Sequence, residues 1–372
     1  MPARTRHRVR RSRKSHGLDM LIFFVTGRCN SRCTHCFNWK NLGPDRDGLP
    51  LSQVESLARS MPSFRTLLLS GGEPTLRDDL VQIVELFLRH AHIATVGVPV
   101  NGLLPRRTVE AARAIAALDS QLRVTFNVSI EGFAPVNDPI RGIPGDYERA
   151  LETLAGLQDL AAGYSNLRVF INTVISAANL RGVLPFAEYV ASEGLADGHF
   201  FELVRGDPPD VRLKALPAAD LSVLYRRLLH IQDAYLRREG RRSRGSVLGY
   251  LRYVSDMGNL VNKYRHQLAA HGRDRRWDFP CVAGEGIGVV DYDGGLRVCE
   301  LRDRRISLQD YGFDFAAAWG QEALRDETVV AASHVCDCTH TCFLGASMRH
   351  DPVSRYVVSP WWYLRHRLGM LW

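Results

Sequence analysis

Three cysteines, Cys29, Cys33 and Cys36, fall in the single run Gly27-Arg28-Cys29-Asn30-Ser31-Arg32-Cys33-Thr34-His35-Cys36-Phe37. Iron in a 4Fe-4S cluster is normally held by four Cys thiolates, so a loop that supplies three leaves one iron open to a small molecule. The same atoms could serve zinc or a disulfide. Zinc sites, however, usually pair C-x2-C knuckles, and an odd third cysteine suits neither alternative well. Further along, Ser70-Gly71-Gly72-Glu73-Pro74 combines two glycines, which let a backbone come close to a ligand, with the carboxylate of Glu73, which can accept from an ammonium. Asn127-Val128-Ser129-Ile130-Glu131-Gly132 offers a hydroxyl and a carboxylate suited to the polar parts of a nucleoside or an amino acid. A second cysteine group, Cys281, Cys299, Cys336, Cys338 and Cys342, follows near the end of the chain. Four of its thiolates would serve a zinc ion as well as a cluster.

On these residues the chain resembles the radical S-adenosylmethionine (SAM) enzymes, whose signature is C-x3-C-x2-C with an aromatic residue before the last cysteine. Here His35 takes that place and Phe37 follows the cysteine. The resemblance covers roughly residues 18–345. It implies that Cys29, Cys33 and Cys36 hold the 4Fe-4S cluster that binds SAM and that Gly71, Gly72 and Glu73 meet the methionine amino group. It also implies that Ser129 and Glu131, in the family's Ser-x-[Asp/Glu]-Gly segment, contact SAM. Asn137-Asp138-Pro139-Ile140-Arg141-Gly142 resembles the Asp-x-x-Arg-Gly segment of the subgroup with a C-terminal cluster domain, where Arg141 would pair with the SAM carboxylate. The plain alternative for Arg141 is a surface ion pair.

The second cysteine group is similar to the SPASM module or its shortened twitch form. A full module uses seven cysteines for two clusters, so the five here imply one auxiliary 4Fe-4S cluster with a spare cysteine or an unusual ligand set. The family's chemistry is reductive cleavage of SAM to methionine and a 5'-deoxyadenosyl radical that abstracts a substrate hydrogen. Its electron comes from a donor such as flavodoxin or ferredoxin. The implied outcome is oxidative modification or maturation of a peptide. A dehydrogenation of a small molecule, such as an amino sugar or a lipid precursor, is the alternative; a zinc-binding interaction protein is the non-enzymatic one.

Such groups need strand ends to carry them. From residue 18 to 205, short apolar runs alternate with longer amphipathic stretches, the pattern of β-α units around a parallel sheet. Strands are expected at 19–26, 66–70, 93–100, 123–130, 168–175 and 199–204, with helices such as 78–89 and 147–160 between them. Parallel strands with helical crossovers place functional loops at their C-terminal ends, where the three-cysteine loop falls. Asn101 and Asn172 are also expected at strand ends, Asn101 in a common Asn-Gly turn. The fold class is α/β: a partial (β/α)6 TIM-like barrel over 18–216, then a helical connector over 217–280. A small Cys-rich cluster domain at 281–345 and an aromatic, basic helical segment at 346–372 complete it. Leu224, Leu228, Ile231 and Tyr235 give the connector its helical spacing, and Asp291-Tyr292-Asp293-Gly294-Gly295 marks a hairpin that opens the cysteine module.

Composition bounds the rest. With 45% apolar residues the chain can bury a large core. Much of the net charge of +8 sits in the tail 1–17, where Arg4, Arg6, Arg8, Arg10, Arg11, Arg13 and Lys14 crowd together. No aromatic residue interleaves with these charges, so the tail reads as solvated and disordered, and nucleic acid is not an expected partner. The apolar run after Asp19 is too short for a secretory signal, and no stretch has the length of a transmembrane helix. Clustered cysteines suit metal ligation in a reducing cytoplasm. The final segment, Trp361-Trp362-Tyr363-Leu364-Arg365-His366-Arg367-Leu368-Gly369-Met370-Leu371-Trp372, suits either a peripheral membrane contact or a helix folded back over the barrel.

Overall fold

The computed structural model describes residues 17–242, 246–272, 277–333 and 338–371. The basic tail up to residue 16 and Cys336 lie outside the described residues. Six strands, β1 (Met20–Thr26), β2 (Thr66–Gly71), β3 (Thr95–Val100), β4 (Arg123–Ser129), β5 (Leu167–Ile175) and β6 (Gly198–Leu203), pair parallel in sequence order. Each end falls within two residues of the position expected from the apolar runs. Between them run α1 (Leu51–Ser60), α2 (Leu80–Ala91), α3 (Pro105–Leu118), α4 (Ala134–Arg141), α5 (Asp146–Ala161) and α6 (Val183–Glu193).

The two periodicities of the chain decide what faces what. On α2, Leu80, Ile83, Val84 and Phe87 recur at helical spacing and are buried against the sheet, where Phe87 meets Phe23 and Phe64 edge-on at 6.1 and 6.2 Å. Each such side chain contributes roughly 1.5–3 kcal/mol by leaving water. Along β5 the burial alternates strictly. Leu167, Val169 and Ile171 are buried in the main core, while Phe170, Asn172 and Val174 turn to a central cavity that Thr125, Asn127 and Ser129 of β4 also line. Asn172 therefore works from inside a strand, not from its end as expected.

The sheet does not stop at the barrel. β7 (Ile287–Val290) pairs parallel with β1, and β8 (Gly295–Arg297) and β9 (Ile306–Ser307) follow antiparallel. The order is β6-β5-β4-β3-β2-β1-β7-β8-β9. The hairpin expected at 291–295 is the β7–β8 turn, and its strands cover the edge that β1 would otherwise present unpaired.

The connector forms α7 (Ala218–Arg242) and α8 (Val247–His271), which share a second core with α6 and β6; Tyr225 and Tyr264 stack there at 4.0 Å. After α9 (Phe315–Trp319) and α10 (Glu322–Ala332), α11 (Thr341–His350) runs through the boundary expected near 345, and α12 (Ser359–Arg367) ends the chain's regular structure. α12 packs on α8 rather than over the barrel. A β-carbon at Gly258 would overlap the Ser359 carbonyl, so glycine permits this approach, and the Ser359 hydroxyl bonds Asn259 Oδ1 at 2.6 Å. Among the described residues no helix is long and apolar enough to cross a membrane.

Candidate cofactor site

β1 ends at Thr26, and the three cysteines follow on a loop that neighbouring turns hold from two sides. Beyond β2, the Gly72 N–H donates to the Thr26 carbonyl and the Glu73 N–H to the Arg28 carbonyl, each at 2.8 Å. Gly71 sits at φ +134°, and a β-carbon on Gly72 would overlap the Arg28 carbonyl, so both positions need glycine. From the end of α4, the carbonyls of Arg141 and Ile140 accept from the N–H groups of Arg32 (3.1 Å) and Thr34 (2.8 Å). The Ser31 hydroxyl donates to the Arg141 carbonyl at 3.0 Å and lies 3.1 Å from Cys33 Sγ. Asn101 Nδ2 donates to Asn30 Oδ1 at 2.6 Å.

The loop opens into a cavity of about 860 Å³ that Cys29, Cys33 and Cys36 line together with Gly71, Gly72 and Glu73. Ser129 and Arg141 face the same space. Glu73 is buried, and its carboxylate already takes three donors: the Thr75 N–H (3.1 Å) and O–H (2.6 Å) on Oε1, and the Asn101 N–H (2.7 Å) on Oε2. A carboxylate has about four lone-pair sites, so one is left for an ammonium. Burial raises its pKa.

Glu131 does not line the cavity. It is fully buried, accepts from the Val174 N–H at 2.7 Å, and lies 3.5 Å from Arg141 Nη1 and 3.6 Å from His35 Nε2. Burial pushes its carboxyl up to about 7, against the pull of Arg141. Arg141 is buried too, with Nε 3.5 Å from Asp146, so it is no surface ion pair. Burial opposes its charge, but the carboxylates of Glu131 and Asp146 hold the guanidinium protonated.

Burial pushes the Cys29 thiol up to about 12 and the Cys36 thiol to about 11. At neutral pH such thiols keep their protons unless a cation takes the proton's place, which is what cluster iron does. With Cys33 on the same cavity wall, the loop offers three sulfurs that fit that role. His35, buried and pushed down to about 3 by burial and by Arg141 and Arg205, is a neutral ring in the position where the signature has an aromatic. Among the described residues no three His, Cys, Asp or Glu side chains are close enough to share a single metal ion.

The second cysteine group comes from separate segments. Cys281 ahead of β7 and Cys299 after β8 are buried in the main core, with Cys338 and Cys342 half-buried against it at the start of α11. Trp277 Nε1 donates to the Cys338 carbonyl at 3.0 Å, and the Val282 N–H donates to Ser347 Oγ of α11 at 3.1 Å. Of the described members only Cys342 lines the cavity. Burial, with Glu202 and Glu300 nearby, pushes its thiol up to about 12.

Between the two groups lies a buried polar network that no motif announced. Arg205 pairs with Glu202 and, at 2.9 Å, with Glu300; His340 Nε2 is 2.5 Å from Glu300 Oε1. The Thr341 hydroxyl donates to Glu202 Oε1 at 2.8 Å, and the Arg205 guanidinium lies 4.5 Å from the ring centre of Phe37. Burial alone would raise Glu300, but His340 and Arg205 bring it down to about 2. Lys263 of α8 lines the cavity as well, its ammonium lowered to about 8 by burial with Glu202 and Cys342 working against that. Only His340, inside Cys338-Thr339-His340-Thr341-Cys342, carried a sequence signal that could have singled it out.

Residues 23–175 match the family model of the radical SAM superfamily. An AdoMet-dependent heme synthase of Methanosarcina barkeri is 30% identical over 57% of this chain and 56% of its own length. Mycofactocin maturase MftC of Mycolicibacterium smegmatis is 30% identical over 48% of this chain and 44% of its own. The chain thus spans about half the length of these curated relatives. Among solved structures, native anSMEcpe with bound AdoMet and the Cp18Cys peptide shares the fold, with a TM-score of 0.58 at 15% identity over 95% of this chain and 96% of that one.

Proposed function

Through residues 23–175 the chain belongs to the radical SAM superfamily, whose enzymes use a 4Fe-4S cluster and SAM, and from that premise we propose an oxidative modification or maturation of a peptide. When bound, the cluster would relay one electron from a donor such as flavodoxin or ferredoxin to SAM, whose reductive cleavage to methionine would supply a 5'-deoxyadenosyl radical able to take a hydrogen atom from the substrate. The observation that carries the reading is the three-cysteine loop, clamped by Gly72 and Glu73 on one side and by Ile140 and Arg141 on the other, at the wall of one cavity.

In this reading Cys29, Cys33 and Cys36 hold three irons. Gly71 and Gly72 admit the methionine amino end, and the last lone pair of Glu73 is available to its ammonium. Arg141 faces the carboxylate, Ser129 the nucleoside, and Glu131 acts by orienting Arg141. The volume, about 860 Å³, is near the upper end for a site holding one small ligand, which leaves room for a substrate group beside SAM. Glu202, Lys263 and Cys342 would meet that group. Four of Cys281, Cys299, Cys336, Cys338 and Cys342 would hold an auxiliary 4Fe-4S cluster, an electron acceptor on the far side.

The maturase among the relatives supports the peptide class. A small-molecule substrate is the second reading, favoured by the heme synthase. The test is anaerobic reconstitution followed by reduction with dithionite. The protein should bind about eight irons, as two four-iron clusters require, and convert SAM to methionine and 5'-deoxyadenosine. Protein that holds zinc, no iron and leaves SAM intact would establish the zinc-binding alternative instead.

A further inference from the structure

Helix α12 has two apolar faces, and among the described residues only one of them is packed. Trp362 and Tyr363 turn inward to the α7–α8 core, with Tyr363 5.8 Å from Tyr253 and the Arg265 guanidinium 5.5 Å from the Trp362 ring centre. On the other side Trp361 (55% exposed), Leu364 and Leu368 (62%) recur at i, i+3 and i+7. The stripe continues upstream through Val353, Tyr356 and Val357, all exposed, in and beside the π-helical turn Ser354–Val358. The first turn of α8 also exposes Leu248 (77%) and Leu251, and it adjoins α12, with Tyr250 Oη 3.4 Å from Tyr363 Oη.

Single exposed apolar residues are ordinary on a protein surface, but a continuous stripe of large ones marks an interaction face. Its charge says which kind. From residue 352 to the end there is no Asp or Glu, while Arg355, Arg365 and Arg367 are present; on α8 Arg252 is paired with Asp256 at 3.7 Å, so the unbalanced charge lies on the C-terminal segment. Tryptophan and tyrosine beside apolar residues and arginine, with no acid among them, are the residues that settle at a water–lipid boundary whose phosphates are negative.

We propose that this face docks the protein on an anionic lipid surface, with Trp361, Leu364 and Leu368 entering the boundary and Arg355 and Arg367 meeting lipid phosphates. The contact of Gly258 with Ser359 and the bond from Ser359 to Asn259 fix α12 as a rigid presenting element. Arg252, one turn beyond Leu248, also lines the cavity, so the docked edge borders the site. The inference is independent of the radical SAM reading.

The experiment is flotation of the full chain with vesicles of phosphatidylcholine alone or mixed with phosphatidylglycerol. The protein should float with the mixed vesicles, not with the neutral ones, and high salt should release it. The triple variant Trp361→Ser, Leu364→Ser, Leu368→Ser should partition on the order of a hundredfold more weakly, as three large side chains no longer leave water. Its melting temperature and 5'-deoxyadenosine yield should be unchanged. Wild-type protein that ignores the mixed vesicles, or a triple variant that floats as well as wild type, overturns the proposal. So does a wild-type dimer in solution that the same substitutions convert to monomer, since the face would then join two copies of the chain.

Discussion

The two cysteine groups differ in what gives them shape. Cys29, Cys33 and Cys36 sit on one short loop whose backbone is bonded to Glu73, Ile140 and Arg141, so its geometry is set by hydrogen bonds. Cys281, Cys299, Cys338 and Cys342 are gathered from the edges of β7 and β8 and the start of α11, and packing into the core sets theirs. Backbone changes should therefore damage the first group, and loss of core side chains the second. The polar network of Arg205, Glu300 and His340 is what the two share.

The largest effect separates the groups outright. Replacing Cys29, Cys33 and Cys36 together by Ala should abolish SAM cleavage and remove about half of about eight irons, measured by iron assay and by 5'-deoxyadenosine yield. Replacing Cys281 and Cys299 together should also halve the iron but leave 5'-deoxyadenosine formation intact while product from the true substrate disappears. Equal loss of SAM cleavage in both variants would erase the distinction.

A smaller effect tests the backbone clamp. Gly72→Ala forces a β-carbon against the Arg28 carbonyl, and such overpacking costs about 1–3 kcal/mol. The strain should fall on the first loop alone: weaker SAM binding by calorimetry, with iron in the C-terminal group unchanged. Glu73→Ala should disturb the loop backbone least, because it leaves the bond from the Glu73 N–H to the Arg28 carbonyl in place. It leaves the buried N–H groups of Thr75 and Asn101 without an acceptor, at about 1–3 kcal/mol in a denaturant melt, and weakens SAM binding, with both clusters still assembled. A melt indistinguishable from wild type would show that the turn is not held by this carboxylate.

How legible each part was follows from how local it is. The barrel strands announce themselves as short apolar runs, and the first cysteine loop as a spacing within one run. The partner of β1 on its far side does not, because β7 lies far along the chain and nothing in Ile287-Gly288-Val289-Val290 names its neighbour. Glu73 and Arg141 were expected to face a ligand and both line the cavity, yet much of their work is internal: the Glu73 carboxylate holds Thr75 and Asn101, and the Arg141 carbonyl holds Arg32 and Ser31. Glu202 and Arg205 stand three residues apart at the end of β6, but Lys263 of α8 and Glu300 beyond β8 had no spacing to join them to that pair, since the three segments meet only in the folded chain.

The central claim is that only the loop-held cluster meets SAM. It is tested most directly by electron paramagnetic resonance on dithionite-reduced protein in which Cys281 and Cys299 are both replaced by Ala, recorded with and without SAM. The account predicts one remaining cluster signal that shifts when SAM is added. A signal that SAM leaves unchanged would contradict it.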